Sequence, residues 1–356
     1  MRVAILTFQF AHNYGAMLQA YALKAFLEDS GYNVEIVPYY PMWAQKEYSI
    51  SPFTKGISFK KRVRFAVQYP LRRRVVGKFD EFKTTSLTNA PWFDTYDELI
   101  NFLNGFDCVI FGSDQIWNDN LTGRVSDYYG GDTKAKRISY AASLGTKELT
   151  AWQKECAKKY LTRFNYISVR EPHSMELLDD YIDMHIETVM DPVFLLSEKE
   201  WEKECKKVAI NEKYMLLYFL RDNDILLKAA KKYAEEKKLC IYEIHPTLAV
   251  HHKGCHRLVS IGPREFLWLI KNAQCVCTNS FHATSFSMIF GKKLLHIPNA
   301  YSPERTTSLL VRMGYKLKTD GMALPLYDLS NRDYSRLHEL ADNSKRFLLE
   351  SINEVY

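Results

Sequence analysis

No stretch of about 18 apolar residues occurs in the chain, so no helix is expected to cross a membrane. Gly-x-Gly-x-x-Gly and Gly-x-x-x-x-Gly-Lys-Ser/Thr are both missing, which excludes the dinucleotide fingerprint and the P-loop. Cys-x-x-Cys is missing too. The seven cysteines are scattered and odd in number, and Cys275 and Cys277 alternate about Val276 as strand residues do. Reduced thiols in a cytosol fit this pattern, and a structural zinc does not. The opening Met1–Phe8 is apolar, but Gln9, His12 and Asn13 interrupt it before a secretory apolar region could form. It reads as a first core strand, not a signal peptide. Acidic residues are absent from 55–78, where Lys55, Lys60, Lys61, Arg62, Arg64, Arg72, Arg73, Arg74 and Lys78 stand among apolar residues. These nine charges exceed the net charge of +6, so the rest of the chain is slightly acidic. Three readings are open for this segment: an amphipathic insertion on an anionic membrane surface, a basic rim that attracts a phosphorylated substrate, or a solvated helix pair packing its apolar side inward. No nucleic-acid partner is expected.

What is present describes two α/β halves. The 356 residues are too many for one small core, and 47% are hydrophobic, enough for two large ones. Strand 2–8, turn 10–15, helix 16–30 and strand 33–39 form a βαβ opening. Asn13 is a candidate N-cap for that helix, and Gln19 faces the same side. The apolar strand 107–111 runs into Gly112-Ser113-Asp114-Gln115-Ile116-Trp117-Asn118. Asp114, Gln115 and Asn118 suit the hydroxyls of a sugar, or else ordinary turn and capping chemistry. Strand 137–143, helix 149–164 and strand 167–171 follow. Arg170 stands at a strand-to-helix corner, where it either binds an anion or pairs with Glu171. The polar stretch 195–212 is the expected boundary. Beyond it the pattern predicts strand 213–220, helix 223–238, strand 239–244, helix 263–272 and strand 274–277. The loop histidines His245, His251, His252 and His256 have no carboxylate beside them in their stretch, and no metal is expected there.

Strand 274–277 leads into Thr278-Asn279-Ser280-Phe281-His282, with Ser280 as N-cap and His282 in the first helical turn. A strand running straight into a capped helix at a sheet's carboxyl edge is an anion-binding arrangement; the alternative is a capped core helix with a packed histidine. Strand 294–297, helix 305–313 and a final helix 332–354 complete the chain. The expected organisation is a domain over 1–200, a second over 201–330 and a terminal helix over 331–356. The fold class is α/β, with two Rossmann-like domains facing across a cleft in the GT-B manner and the last helix packing back across both.

Several motifs in this order resemble the polysaccharide pyruvyl transferase family. They are His12-Asn13-Tyr14-Gly15-Ala16, the run Gly112–Asn118, Ile138–Gly145, Ser168-Val169-Arg170-Glu171, Asp191-Pro192-Val193, Asn279-Ser280-Phe281-His282, and Arg305 leading to Ser308-Leu309-Leu310. The resemblance implies transfer of a carboxyethylidene unit from phosphoenolpyruvate to two hydroxyls of a sugar in a bacterial-type surface polysaccharide or its precursor. It implies no cofactor or metal beyond phosphoenolpyruvate as co-substrate. It makes His282 the general acid and Asp114 a base or sugar ligand. Arg170, Ser280, His282 and Arg305 would bind the donor, and Asn13, Gln19, Asp114, Gln115 and Asn118 the acceptor. Relatives with a Met-Arg-Leu-His motif carry arginine where this chain has Ser280, so phosphate contact would fall to backbone N–H groups or to Arg305. The acceptor would be a saccharide, nucleotide-linked, lipid-linked or part of a free polymer. The protein would be cytoplasmic, and peripheral at the inner membrane face if the membrane-surface reading of 55–78 is the right one. Two other functions share the fold: a GT-B glycosyltransferase using a nucleotide sugar, and a non-catalytic saccharide-binding protein.

Overall fold

The chain enters its core at once. Strand β1 (Arg2–Leu6) has Val3, Ala4, Ile5 and Leu6 fully buried, and α1 (Tyr14–Asp29) returns along the sheet to β2 (Asn33–Ile36). The computed structural model describes residues 1–49, 59–247, 250–298, 303–317 and 326–354. Contacts divide the chain into two units. The first gathers Met1–Tyr48, Lys83–Leu196 and Tyr334–Tyr356, and the second gathers Ser49–Phe82 and Ser197–Asp333.

After α2 (Met42–Tyr48) comes the long α3 (Phe59–Phe82), which belongs to the second unit. The sequence assigns this basic segment to the first domain and offers a helix pair as one reading. Its described part is instead one continuous helix with Pro70 inside it. Lys55 and its neighbours through 58 lie outside the described residues. The first unit resumes with α4 (Tyr96–Leu103), β3 (Cys108–Phe111), α5 (Asp119–Thr122) and β4 (Lys136–Ala142). Then follow α6 (Ala151–Tyr160), β5 (Tyr166–Val169), α7 (Pro172–Asp179) and β6 (Ile186–Thr188). The second unit continues with α8 (Glu198–Lys203), β7 (Tyr214–Tyr218), α9 (Asp224–Lys237), β8 (Cys240–Ile244) and β9 (His256–Arg257). It goes on through α10 (Pro263–Asn272), β10 (Cys275–Thr278), α11 (Phe281–Ile289), β11 (Lys293–His296), α12 (Glu304–Arg312) and β12 (Leu326–Asp328). Last comes α13 (Tyr334–Asn353), part of the first unit, where Ser344 Oγ accepts from the Met190 N–H at 2.8 Å.

Each unit is built on a six-stranded sheet. The first has the order β2-β1-β3-β4-β5-β6, all parallel. The second has the order β12-β11-β10-β7-β8-β9, parallel except for the antiparallel edge strand β12. Central strands such as β3 and β10 are buried at every residue, as expected for a sheet covered on both faces. Parallel doubly wound sheets open a crevice where the winding reverses, outside the carboxyl ends of the two strands concerned. Those pairs are β1/β3 in the first sheet and β7/β10 in the second. The sequence motifs Gly112–Asn118 and Thr278–His282 leave β3 and β10 at these two points. Among the described residues, no helix is long and apolar enough to cross a membrane. All seven cysteines are free thiols.

Candidate active site

In the first unit the loop after β3 is set by close backbone approach. Gly112 has φ +128°, and a Cβ there would lie 2.3 Å from the Tyr140 carbonyl oxygen, so only glycine fits. Gln19, fully buried, holds the next residue. Its Oε1 accepts from the Ser113 N–H at 3.1 Å, while its amide donates to Thr7 Oγ1 at 2.8 Å and to the Ala16 carbonyl at 2.9 Å. The side chain that the sequence assigns to the acceptor thus orders the loop. Asn13 caps α1, accepting from Gly15 and Ala16 N–H at 2.9 and 3.2 Å.

Asp114 lies in the left-handed region at φ 71°, a conformation Asp tolerates better than most residues. Its carbonyl accepts from the Ser143 and Ile116 N–H groups, each at 2.9 Å, which joins this loop to the end of β4. Asn118 caps α5 through Asn120 N–H and donates to Gln115 Oε1 at 3.1 Å, over Gly145. A side chain at Gly145 would collide with both amides.

Arg170 is only 3% exposed, and it faces three carboxyl groups. Nε donates to Glu171 Oε1 at 2.8 Å, Nη1 to Asp191 Oδ2 at 2.8 Å, and Asp114 Oδ1 is 3.7 Å away. Burial alone would lower the guanidinium's pKa, but Glu171, Asp191 and Asp114 outweigh it and hold it above the ordinary value. One buried cation shared among three carboxyl groups orients them more readily than it recruits a further anion. The ion-paired alternative for Arg170 is the arrangement present. The sequence names Asp191 only as part of a motif. Its Oδ1 also accepts from Val193 N–H at 3.1 Å, and its position 21 residues from Arg170 is supplied by the fold.

In the second unit Thr278 closes β10. Its hydroxyl donates to the Tyr218 carbonyl at 2.6 Å and accepts from the Ser280 N–H at 3.0 Å. Asn279 ties in the loop after β7: Oδ1 accepts from Leu220 N–H at 2.9 Å and Nδ2 donates to the Arg221 carbonyl at 2.7 Å. Ser280 has extended backbone, and its Oγ accepts from Ala283 N–H at 3.4 Å, which makes it the N-cap. Every residue of α11 is buried. His282, 6% exposed, stands edge-on to Phe281 at 5.1 Å. The Arg305 guanidinium, on the first turn of α12, lies 5.3 Å from the centre of the same ring. The fold therefore gathers Ser280, His282 and Arg305 at one helix N-terminus, where the peptide dipoles and a guanidinium favour an anion together.

The loop histidines do have carboxylate neighbours. His252 Nδ1 donates to buried Glu243, and His245 Nε2 donates to Asp222 at 3.0 Å. Glu243 comes from β8 and Asp222 from the loop after β7, so sequence spacing around the histidines does not reveal both. Among the described residues, no group of three or more His, Cys, Asp or Glu is placed to hold a metal ion.

The profile of the family described as "Polysaccharide pyruvyl transferase" matches residues 13–301, from the cap of α1 to beyond β11. The chain belongs to the polysaccharide pyruvyl transferase family. No individually curated protein matches it in sequence. Several solved structures share its fold. A UDP-GlcNAc 2-epimerase of Methanocaldococcus jannaschii, in complex with UDP-GlcNAc and UDP, is 15% identical, covers 98% of this chain and 99% of its own, and has a TM-score of 0.50. A putative UDP-N-acetylglucosamine 2-epimerase of Listeria monocytogenes is 11% identical, with 99% and 95% covered and a TM-score of 0.51. At such identities the likeness concerns the fold, which is GT-B-like. Two residues before His282 stands the capping Ser280.

Proposed function

We propose that the protein transfers a carboxyethylidene group from phosphoenolpyruvate to two hydroxyls of a saccharide, releasing phosphate and leaving a cyclic ketal. The observation that carries this reading is the grouping of Ser280, His282 and Arg305 at the N-terminus of α11, in a chain of this family. A small donor bearing carboxylate and phosphate suits a helix N-terminus beside a guanidinium. In the reaction His282 protonates the methylene carbon, which becomes the methyl group. The positive charge left on C2 is quenched by one sugar hydroxyl, which forms a C–O bond and gives up its proton. The bond from C2 to the phosphate oxygen then breaks. The second hydroxyl forms the other C–O bond, and its proton goes to the departing phosphate. The proton of the first hydroxyl makes good the one His282 gave to carbon, so the balance closes with no further reactant.

Asp114 would take the proton of the first hydroxyl or hold the sugar, with Gln115 and Asn118 as neighbouring ligands. Arg170 would serve by holding Asp114, Glu171 and Asp191 in place. Acceptor-dependent phosphate release from phosphoenolpyruvate tests the reading. Release of a nucleoside diphosphate from a nucleotide sugar instead would establish the glycosyltransferase alternative, which the GT-B-like fold accommodates equally well. Saccharide binding with neither release would establish the non-catalytic one.

The exposed stripe of α3 supports a peripheral site of action. Val63, Ala66, Val67, Pro70, Arg73 and Arg74 follow helical spacing and face solvent, with Val67 77% exposed. Apolar residues flanked by arginines suit an anionic lipid surface, where a lipid-linked acceptor would be found.

A further inference from the structure

His296 belongs to no motif quoted above. It ends β11 opposite Thr278 of β10 and is 1% exposed. Its Nδ1 is 2.9 Å from the Thr278 carbonyl oxygen, and its Nε2 is 3.0 Å from Thr306 Oγ1. A carbonyl oxygen can only accept, so the ring proton sits on Nδ1. Burial pushes the imidazole's pKa down to about 4. At neutral pH the ring therefore carries no second proton, and Nε2 accepts from the Thr306 hydroxyl.

Both ends of this bridge lead to the candidate donor site. Thr278 holds the Ser280 N–H, one step before α11 begins. Thr306 follows Arg305 on the first turn of α12, and Arg305 lies against Phe281, the first residue of α11. An arginine side chain is long and rotamer-rich. Bidentate recognition of an anion tolerates little displacement, so the backbone that carries it must be set from behind. We propose that His296 is a positioning residue: a buried strut that sets the first turn of α12, and with it the Arg305 guanidinium, against the N-terminus of α11. The inference rests on the reading of Arg305 as a ligand of the donor anion.

The experiment uses His296→Phe, which removes both hydrogen bonds but keeps a ring, and His296→Gln, whose amide can both donate and accept. Thr306→Val leaves the bond to Thr278 in place, breaks the far bond together with a 3.4 Å contact of the hydroxyl to the Pro303 carbonyl, and serves if the phenylalanine variant does not fold. His296→Phe and Thr306→Val should each raise the KM for phosphoenolpyruvate about tenfold, with kcat within about threefold of wild type. His296→Gln should recover most of that loss. In an Arg305→Ala background, His296→Phe should add less than about twofold, because the strut acts through that arginine. An unchanged KM in a variant that melts like wild type overturns the proposal, as does a fully additive penalty. Amide hydrogen exchange supplies a readout independent of the substrate. Exchange at residues 304–308 should quicken about tenfold in both strut-breaking variants, with or without phosphoenolpyruvate. Faster exchange in variants of a protein that ignores phosphoenolpyruvate would leave the strut standing and remove the pyruvyl-transfer reading. Unchanged exchange removes the strut whatever the substrate.

Discussion

His282 and Arg170 stand in opposite environments, and their substitutions should fail in different ways. His282 packs on Phe281 at a helix N-terminus that Arg305 also reaches. Removing it as His282→Ala should lower turnover by about a hundredfold or more, the usual range for losing a general acid. Turnover within about threefold of wild type would exclude proton transfer by this residue. Arg170 instead bridges Glu171 and Asp191, which are 2% and 1% exposed. Arg170→Ala leaves those carboxylates buried without their cation and should cost about 3–5 kcal/mol in urea unfolding. A loss below about 1 kcal/mol, with a raised phosphoenolpyruvate requirement, would return Arg170 to direct donor binding. His296 adds a pH effect. Burial keeps it neutral in the folded chain down to about pH 4, whereas the unfolded chain takes up that proton near 6.5. Between these values the unfolded state binds more protons. The stability tied to His296 is therefore complete above about pH 6.5 and is lost as pH falls toward 4, on the order of 3 kcal/mol. His296→Gln has no such titration, so its unfolding free energy should fall less steeply over that window. Equal slopes in the two proteins would contradict the neutral, buried ring.

At the scale of elements, strand ends and helix starts carry the candidate site, and each is fixed by local chemistry plus one distant contact. The loop after β3 needs Gly112 because the Tyr140 carbonyl leaves no room for a Cβ. Gly112→Ala should cost at least about 2 kcal/mol and disturb Asp114, visible as a lowered melting temperature together with a raised acceptor requirement. A variant that melts like wild type would show that the loop relaxes without loss. Ser280 and the first turn of α11 were legible in the sequence, because a capping residue after a buried four-residue strand is a local signal. The strand β11 was legible as well, but the meaning of its last residue was not. A histidine at a strand end is marked only by the partners that other elements bring to it, here Thr278 and Thr306. The same holds for Glu243 and Asp222 beside the loop histidines.

For the whole molecule, two sheets of mainly parallel strands follow from alternating strand and helix patterns, since most parallel neighbours are joined by crossover helices, whereas the strand order is set by the pairing itself. The long basic helix is the part that pattern alone misassigned. Its sequence lies within the first half, yet Lys78 pairs with Glu265 of α10 at 2.9 Å, and Phe79 and Phe82 are buried. Its exposed stripe leads to a test on the full chain. Binding to vesicles should require anionic lipid, weaken with salt, and be lost in Arg73→Glu with Arg74→Glu. Equal binding to neutral vesicles, or none to either, would leave the stripe as a solvated face. The sequence by itself determined the fold class, the strand-to-helix corners and the family, because periodicity, caps and motif order are properties of neighbours along the chain. Only the tertiary structure decided which partners those corners meet. Arg170 among three carboxyl groups, Gln19 spent on a loop and His296 between two threonines all depend on contacts between residues distant in sequence, and no local pattern encodes them.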